Sequence, residues 1–270
     1  MDLKRICVLY FSPTGGTEKI ARLVADGLSA KLGLETAFFD FTRPENRQSE
    51  YRFGPSELLV MASPVYAGRL PNKLMPEYKA KIQGDNSLAL PICVFGNRSP
   101  DEAVRELVLL LEGNGFQTAA AAAFAGRHAF SDKVGAGRPD EADRAEISAF
   151  AAKVAEKLSG ESLPLLDLDR SEIGPYYTPL KTDGTPAKFL KARPLTRKEA
   201  CLHCGVCARS CPVGSIDGET MEAAGLCIKC QACVRRCPVD AKYFEDSDFL
   251  SHVAMLEEHY TRRAENITFI

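Results

Sequence analysis

The sequence predicts an α/β protein: a doubly wound, five-stranded parallel sheet, followed by a smaller α+β module rich in cysteine. Three observations carry that expectation. Short apolar runs alternate with amphipathic stretches through the first 160 of 270 residues, the alternation stops at a proline-rich segment, and eight of the ten cysteines crowd into residues 201–237. Strands that are apolar without interruption are buried on both faces, as in a parallel sheet covered by helices.

The elements follow in order. Residues 6–11, 37–41, 58–62, 88–95 and 119–124 read as strands. Ile20, Leu23, Val24 and Leu28 recur at helical spacing after the first strand, as do Val104, Leu107, Val108 and Leu111 after the fourth. Ile147, Phe150, Val154 and Leu158 do the same after the fifth, and a weaker helix follows Pro71. Residues 1–160 therefore form one domain. Pro164, Pro175, Pro179, Pro186 and Pro194 break up residues 161–195, which read as an extended linker. Its second half is basic, with Lys181, Lys188, Lys191 and Arg193 running on to Arg197 and Lys198, and Asp183 as the acid among them. These cations are solvated, offset charge in the next module, or attract an acidic partner. Residues 196–245 form the cysteine module. In residues 246–270, Phe249, Val253, Leu256 and Tyr260 share one helical face, which should pack onto one of the two domains.

Composition is 45% hydrophobic and 26% charged with a formal net charge of −2. That balance gives no general attraction to nucleic acid or to an anionic membrane. No apolar run approaches the roughly 20 residues of a membrane span. The first ten residues lack the apolar stretch and cleavage site of a signal peptide, so a cytoplasmic protein is expected. Dense cysteines without an export signal point to metal rather than to disulfides. Cys7 and Cys93 lie inside apolar runs and read as buried, inert thiols.

Cys201, Cys204, Cys207 and Cys211 followed by Pro212 spell C-x2-C-x2-C-x3-C-P, and Cys227, Cys230, Cys233, Cys237 and Pro238 repeat it. Val213 and Val239 extend the match, which marks an internal duplication. Three closely spaced thiolates can wrap three corners of a cubane while a remote one closes the fourth. Zinc needs four ligands per site and usually shows paired CxxC knuckles, which this triplet pattern does not. The pattern resembles that of bacterial two-cluster ferredoxins, in which the fourth cysteine of each run ligates the other cluster. The resemblance implies two [4Fe–4S] clusters, one on Cys201, Cys204, Cys207 and Cys237, the other on Cys211, Cys227, Cys230 and Cys233. His203 reads as a surface neighbour, because cysteine fills every ligand position.

Ser12, Pro13, Thr14, Gly15, Gly16 and Thr17 follow the first strand and open the first helix. Hydroxyls and free N–H groups at a helix N-terminus suit an anion, and glycine lets backbone approach a phosphate. The run lacks the lysine of a nucleotide P-loop and is not G-x-G-x-x-G; taken alone, it is also an ordinary helix cap. Two more loops leave the carboxyl ends of neighbouring strands: Pro64, Val65, Tyr66, Ala67 and Gly68 with Arg69, and Gly96, Asn97 and Arg98. The first loop resembles the T/S-x-T-G-x-T phosphate loop of flavodoxins. That resemblance implies strand order 2-1-3-4-5 and an FMN site in the crevice, formed by the three loops just named. It also implies that Tyr66 stacks on the isoalloxazine and that Gly68 brings backbone to the N5 edge. Arg69 and Arg98 stand where a freely diffusing shuttle would be more acidic, and cations there favour anionic reduced flavin. Residues 124–130 should share the rim, with His128 an exposed loop residue rather than a catalytic one. Gly135-Ala136-Gly137 lacks the third glycine of a dinucleotide loop and reads as a mobile connection.

Over both domains the chain resembles the flavodoxin–ferredoxin fusion proteins of anaerobic bacteria. The resemblance implies electron transfer among two [4Fe–4S] clusters, FMN and an external partner, either a redox protein or a small-molecule donor or acceptor. A flavin-dependent reductase fed by the clusters and a redox sensor are the alternatives. No acid–base pair, nucleophile or nicotinamide motif stands out. The sequence leaves open whether transfer runs within one chain or across a homodimer.

Overall fold

In a computed structural model describing residues 2–160, 162 and 164–270, the N-terminal alternation becomes nine elements. These are β1 (Arg5–Tyr10), α1 (Gly16–Leu32), β2 (Glu35–Asp40), β3 (Glu57–Pro64), α2 (Met75–Lys81), β4 (Leu88–Phe95), α3 (Ala103–Gly113), β5 (Ala121–Ala125) and α4 (Glu141–Ser159). The five strands pair in parallel in the order β2-β1-β3-β4-β5, which is the flavodoxin-like arrangement. β4 and β5 are buried throughout, and β1 and β3 nearly so. Edge strand β2 is half-exposed, and Arg22 covers its Phe38 ring from 4.1 Å.

Each sheet face has its own core. On one, Ile20, Val24 and Leu28 of α1 meet Ile147, Phe150 and Val154 of α4. A Cβ on Gly27 would stand 2.7 Å from the Cβ of Ala151, so glycine permits the close approach of these helices. On the other face, Val104, Leu107, Val108 and Leu111 of α3 pack with Tyr78 of α2. Cys7 and Cys93 are fully buried, and burial pushes the Cys7 thiol up to about 11, as suits an inert side chain.

The cysteine module is closed by an antiparallel pair, β6 (Leu195–Thr196) and β7 (Lys242–Tyr243), around the short helices α5 (Val206–Arg209) and α6 (Ala232–Arg235). The sequence duplication is also a backbone duplication. His203 and Lys229 have φ of 48° and 54°, Gly205 and Gln231 of 71° and 65°, and Gly214 and Asp240 of 61° and 50°. The Ser215 amide donates to Cys211 Sγ at 3.2 Å, and in the second copy the Ala241 amide donates to Cys237 Sγ at 3.1 Å.

Residues 164–194 contain no helix or strand, and their first part is bonded to the first domain. Leu166 N donates to Thr118 O at 3.0 Å, Tyr176 Oη to Leu70 O at 2.9 Å, and Tyr177 N to Ala67 O at 2.8 Å. Helix α7 (Ser247–His259), capped by Asp246, touches both domains rather than one. Its Phe249 ring lies 4.9 Å from Phe130 and 4.7 Å from Phe244. The chain then adds a strand that the sequence pattern did not foretell: β8 (Ile267–Phe269) pairs antiparallel with β5, Ile267 opposite Ala123. With the short segment Gln117–Thr118 beside β4, the sheet reaches seven strands. No helix among the described residues is long and apolar enough to cross a membrane.

Candidate functional site

A cavity of about 640 Å³ opens at the carboxyl ends of the parallel strands. Ten residues expected to hold a cofactor line it: Thr14, Gly15, Gly16 and Thr17 of the first loop, Pro64, Val65, Tyr66 and Ala67 of the second, and Gly96 and Arg98 of the third. Gly15 caps α1 at φ 87°, a backbone state that favours glycine. The Gly16 and Thr17 amides make no backbone hydrogen bond among the described residues, as helix geometry requires at this end. Lys19, Arg98, Arg127, Arg138 and Lys229 also line the cavity, and no carboxylate does among the described residues. An open helix N-terminus within such a wall suits a phosphate-bearing ligand. Tyr66 is half-buried; burial and then neighbouring Cys230 raise its phenol well above the usual value.

Four expected residues, Ser12, Pro13, Gly68 and Asn97, do not line the cavity. Ser12 is 3% exposed; its Oγ accepts from Glu18 N and its amide donates to Thr42 Oγ1, both at 2.9 Å. Pro13 is buried, and its carbonyl accepts from Arg236 Nε at 3.1 Å. Gly68 sits at φ 77°, with the Asp101 side chain where a Cβ would be. Asn97 Nδ2 donates to the carbonyls of Tyr260 and Arg262, both at 2.8 Å, and its Oδ1 accepts from Arg138 Nη1 at 2.8 Å, so it anchors the C-terminal tail. Arg69 likewise turns away, bonded to Glu106 at 2.6 Å and lying over Tyr176.

Other lining residues come from distant segments: Tyr177, Pro179 and Phe189 of the linker, His252 and Leu256 of α7, and Ile228, Lys229 and Cys230 of the cysteine module. No spacing in the proline-broken stretch set Tyr177 and Phe189 apart from its other apolar and aromatic residues, such as Leu166 and Tyr176. Arg98 lies over Tyr177 at 4.0 Å, and Phe189 stacks on His252 at 5.5 Å. His128 is not the exposed loop residue expected. Its Nδ1 accepts from Phe130 N at 3.1 Å and its ring fills the space beside Gly96. Burial, then the charges of His252, Arg98 and Arg235, lower it to about 4. The connection through Gly137 is fixed rather than mobile, since Arg138 pairs with buried Asp143 at 2.5 Å and donates to Ala264 O at 2.6 Å.

The eight clustered cysteines are gathered into two small cavities. One is lined by Cys201, Cys204, Cys207 and Cys237, the other by Cys211, Cys227, Cys230 and Cys233. Each set takes three cysteines from one run and the fourth from the other. Lys229 N also points at Cys227 Sγ, at 3.4 Å. Burial raises the free thiol of Cys233 to about 12, so a bound metal is what would make that sulfur a thiolate. Cys230, with Ile228 and Lys229, belongs to the wall of both the second cysteine cavity and the 640 Å³ cavity. His203 is exposed and lines neither cysteine cavity.

Three arginines hold the module there. Arg47 Nη2 donates to Pro212 O at 2.7 Å, Arg235 Nε to Ala129 O at 3.0 Å, and Arg236 Nε to Pro13 O at 3.1 Å. Arg235 also pairs with Asp132 at 2.5 Å.

Residues 196–217 match a family described as 4Fe-4S binding domain, and residues 224–240 match a second family of the same description. Among solved structures, a flavodoxin from the domain Archaea is 15% identical, with 58% of this chain and 99% of that one covered at a TM-score of 0.41. Flavodoxin 2 from Bacillus cereus is 20% identical, with 57% and 99% covered at a TM-score of 0.38. An NAD(P)H:quinone oxidoreductase from Methanothermobacter marburgensis is 13% identical, with 58% and 100% covered at 0.37. These scores are too low to add to what the sheet order shows by itself. A comparison with curated proteins finds no match. The chain thus joins an N-terminal domain of flavodoxin-like strand order to two segments that match 4Fe-4S binding domains.

Proposed function

We propose that this chain is an electron relay, with FMN in the 640 Å³ cavity and one [4Fe–4S] cluster in each cysteine cavity. The observation that carries the reading is the position of Cys230 in the wall common to the large cavity and the second cysteine cavity. When bound, FMN supplies one- and two-electron chemistry and each cluster one-electron chemistry. Thr14, Gly15, Gly16 and Thr17 offer a phosphate neutral donors at a helix N-terminus, with Lys19 and Arg138 as nearby cations. Tyr66 offers a face to a flat ring. Tyr177, Phe189, His252 and Leu256 exclude water from it, and Cys230 stands at the point of exchange. Linking the two halves by arginine contacts, instead of by diffusional encounter, keeps the effective concentration high and supports transfer within one chain.

The test is an anaerobic preparation, photoreduced and followed by single-turnover absorbance. About eight irons per chain are expected, with cluster and flavin signals exchanging at a rate independent of protein concentration. Absence of exchange would defeat the relay, and saturable turnover of one small acceptor would replace it with a reductase.

A further inference from the structure

Lys188, Lys191, Arg193, Arg197 and Lys198 place five cations in a stretch without an acid. All five are exposed, and none forms an ion pair with a carboxylate among the described residues. Elsewhere Arg69, Arg138 and Arg235 are paired with carboxylates, and Lys181 just upstream faces Asp183 at 3.6 Å. Nor do these cations dock the module, a task that Arg47, Arg235 and Arg236 perform. Backbone contacts instead fix the strip beside the cysteine loops. Arg197 Nη1 donates to Asp240 O at 2.8 Å, and the Lys198 carbonyl accepts from Cys201 N at 3.3 Å.

The Arg197 and Lys198 end of the strip adjoins exposed apolar side chains, while Arg193 precedes Pro194, which lines the second cysteine cavity. Leu202 is 65% exposed and Val239 36%, and both line the cavity of Cys201, Cys204, Cys207 and Cys237. Of the eight clustered cysteines, Cys204 in that cavity is the exposed one. Asp248 Oδ2 accepts from the Lys188 amide at 2.6 Å, and no carboxylate pairs with a side chain of the strip among the described residues. An apolar centre with unpaired cations at its rim matches a partner bearing the opposite charge.

We propose that this surface docks an acidic, one-electron carrier protein. The carrier is oxidised by one electron, and the centre held by Cys201, Cys204, Cys207 and Cys237 is reduced by one. No atom or proton changes hands. Cys204 is the exposed one of the clustered cysteines, so the cavity it lines is the cysteine cavity such a carrier meets first. The inference rests on the relay reading for the presence of a redox centre beneath the surface.

The test uses the cofactor-loaded chain and, as probe, an acidic bacterial ferredoxin reduced beforehand, mixed anaerobically at several salt concentrations. Replacing all five cations with glutamine should slow the second-order reaction about tenfold or more at low salt and flatten its salt dependence. Lys191→Gln with Lys198→Gln, which alters exposed side chains alone, should give a smaller change in the same direction. Leu202→Gln should slow the reaction at all salt concentrations. An unchanged rate and salt slope in both charge variants would overturn the proposal. So would a shift in the chain's own cluster potentials with the salt slope intact, since the cations would then serve those clusters. Preferential binding of a DNA oligomer that leaves ferredoxin oxidation unaffected would overturn it as well. If the wild-type chain takes electrons from ferredoxin but fails to pass them to flavin, the docking surface stands and the relay reading falls.

Discussion

Arg47 of the flavodoxin-like domain donates from Nη2 to the carbonyl of Pro212, the residue after Cys211, at 2.7 Å. Its guanidinium also donates to the carbonyls of Phe41 and Thr42 and pairs with Glu77, and the residue is 6% exposed. One rigid fork thus joins the segment after β2 in the first domain to the residue that follows Cys211 in the second. Arg47→Met leaves these acceptors buried without their donor. It should cost about 3 kcal/mol of stability in urea denaturation and slow cluster-to-flavin exchange. An unchanged melting profile and rate would show that docking does not depend on this contact.

The exchange of the fourth cysteine between runs makes a separable prediction. Cys211 lines the cavity beside the flavin-side wall, and Cys237 lines the other. Cys211→Ala should lower iron from about eight to about four per chain and abolish exchange with flavin. Cys237→Ala should lose a similar amount of iron yet keep that exchange. The reverse outcome would mean that each run ligates its own cluster.

Tyr66 tests the ring-binding role. Tyr66→Ala should weaken FMN about tenfold, because an aromatic contact adds roughly 1 kcal/mol beyond burial, while Tyr66→Phe keeps most of the affinity. Fluorescence titration of the apoprotein measures both. Equal loss in the two variants would assign the effect to the hydroxyl and not to the ring face.

His128 predicts a pH dependence. Burial lowers it from 6.5 to about 4, so the unfolded chain takes up a proton at higher pH than the folded one. The stability it contributes is complete above about pH 6.5 and is lost as pH falls towards about 4. Urea midpoints of the wild-type protein should decline across that window, and those of His128→Gln should decline less. Asp143 acts lower down. Burial raises its carboxyl, but the bonds from Arg138, Asp140 N and Asn266 outweigh this and hold it below the usual value. Its contribution is therefore lost only below about pH 4.

Local patterns were legible where they are strong. The unbroken apolar runs at β1, β3 and β4 announce burial on both faces, and the doubled C-x2-C-x2-C-x3-C-P announces its own symmetry. Strand β8 carried no such sign, because Ile267–Phe269 is three residues long and finds its partner at Ala123 in the middle of the chain. Asn97 sits where a flavin-binding loop residue was expected, yet it holds the tail through Tyr260 and Arg262. Residue type at that position tells that an amide is present, not which carbonyl will reach it.

The sequence by itself determined the strand-helix alternation and the doubled cysteine run, since each follows from spacing over a few residues; the exchanged cysteine sets and the shared crevice of the three loops were what the family resemblances implied. Only the tertiary structure decided that the linker and α7 help to line that crevice, that Ser12, Pro13, Gly68 and Asn97 do not, and that Cys230 stands in a wall common to two cavities. Those are relations between segments far apart in the chain. They depend on a handful of contacts, such as Arg47 with Pro212 and Arg236 with Pro13, in which a side chain meets a backbone carbonyl. A carbonyl is present at every residue, so no pattern in the sequence marks the one that will be used.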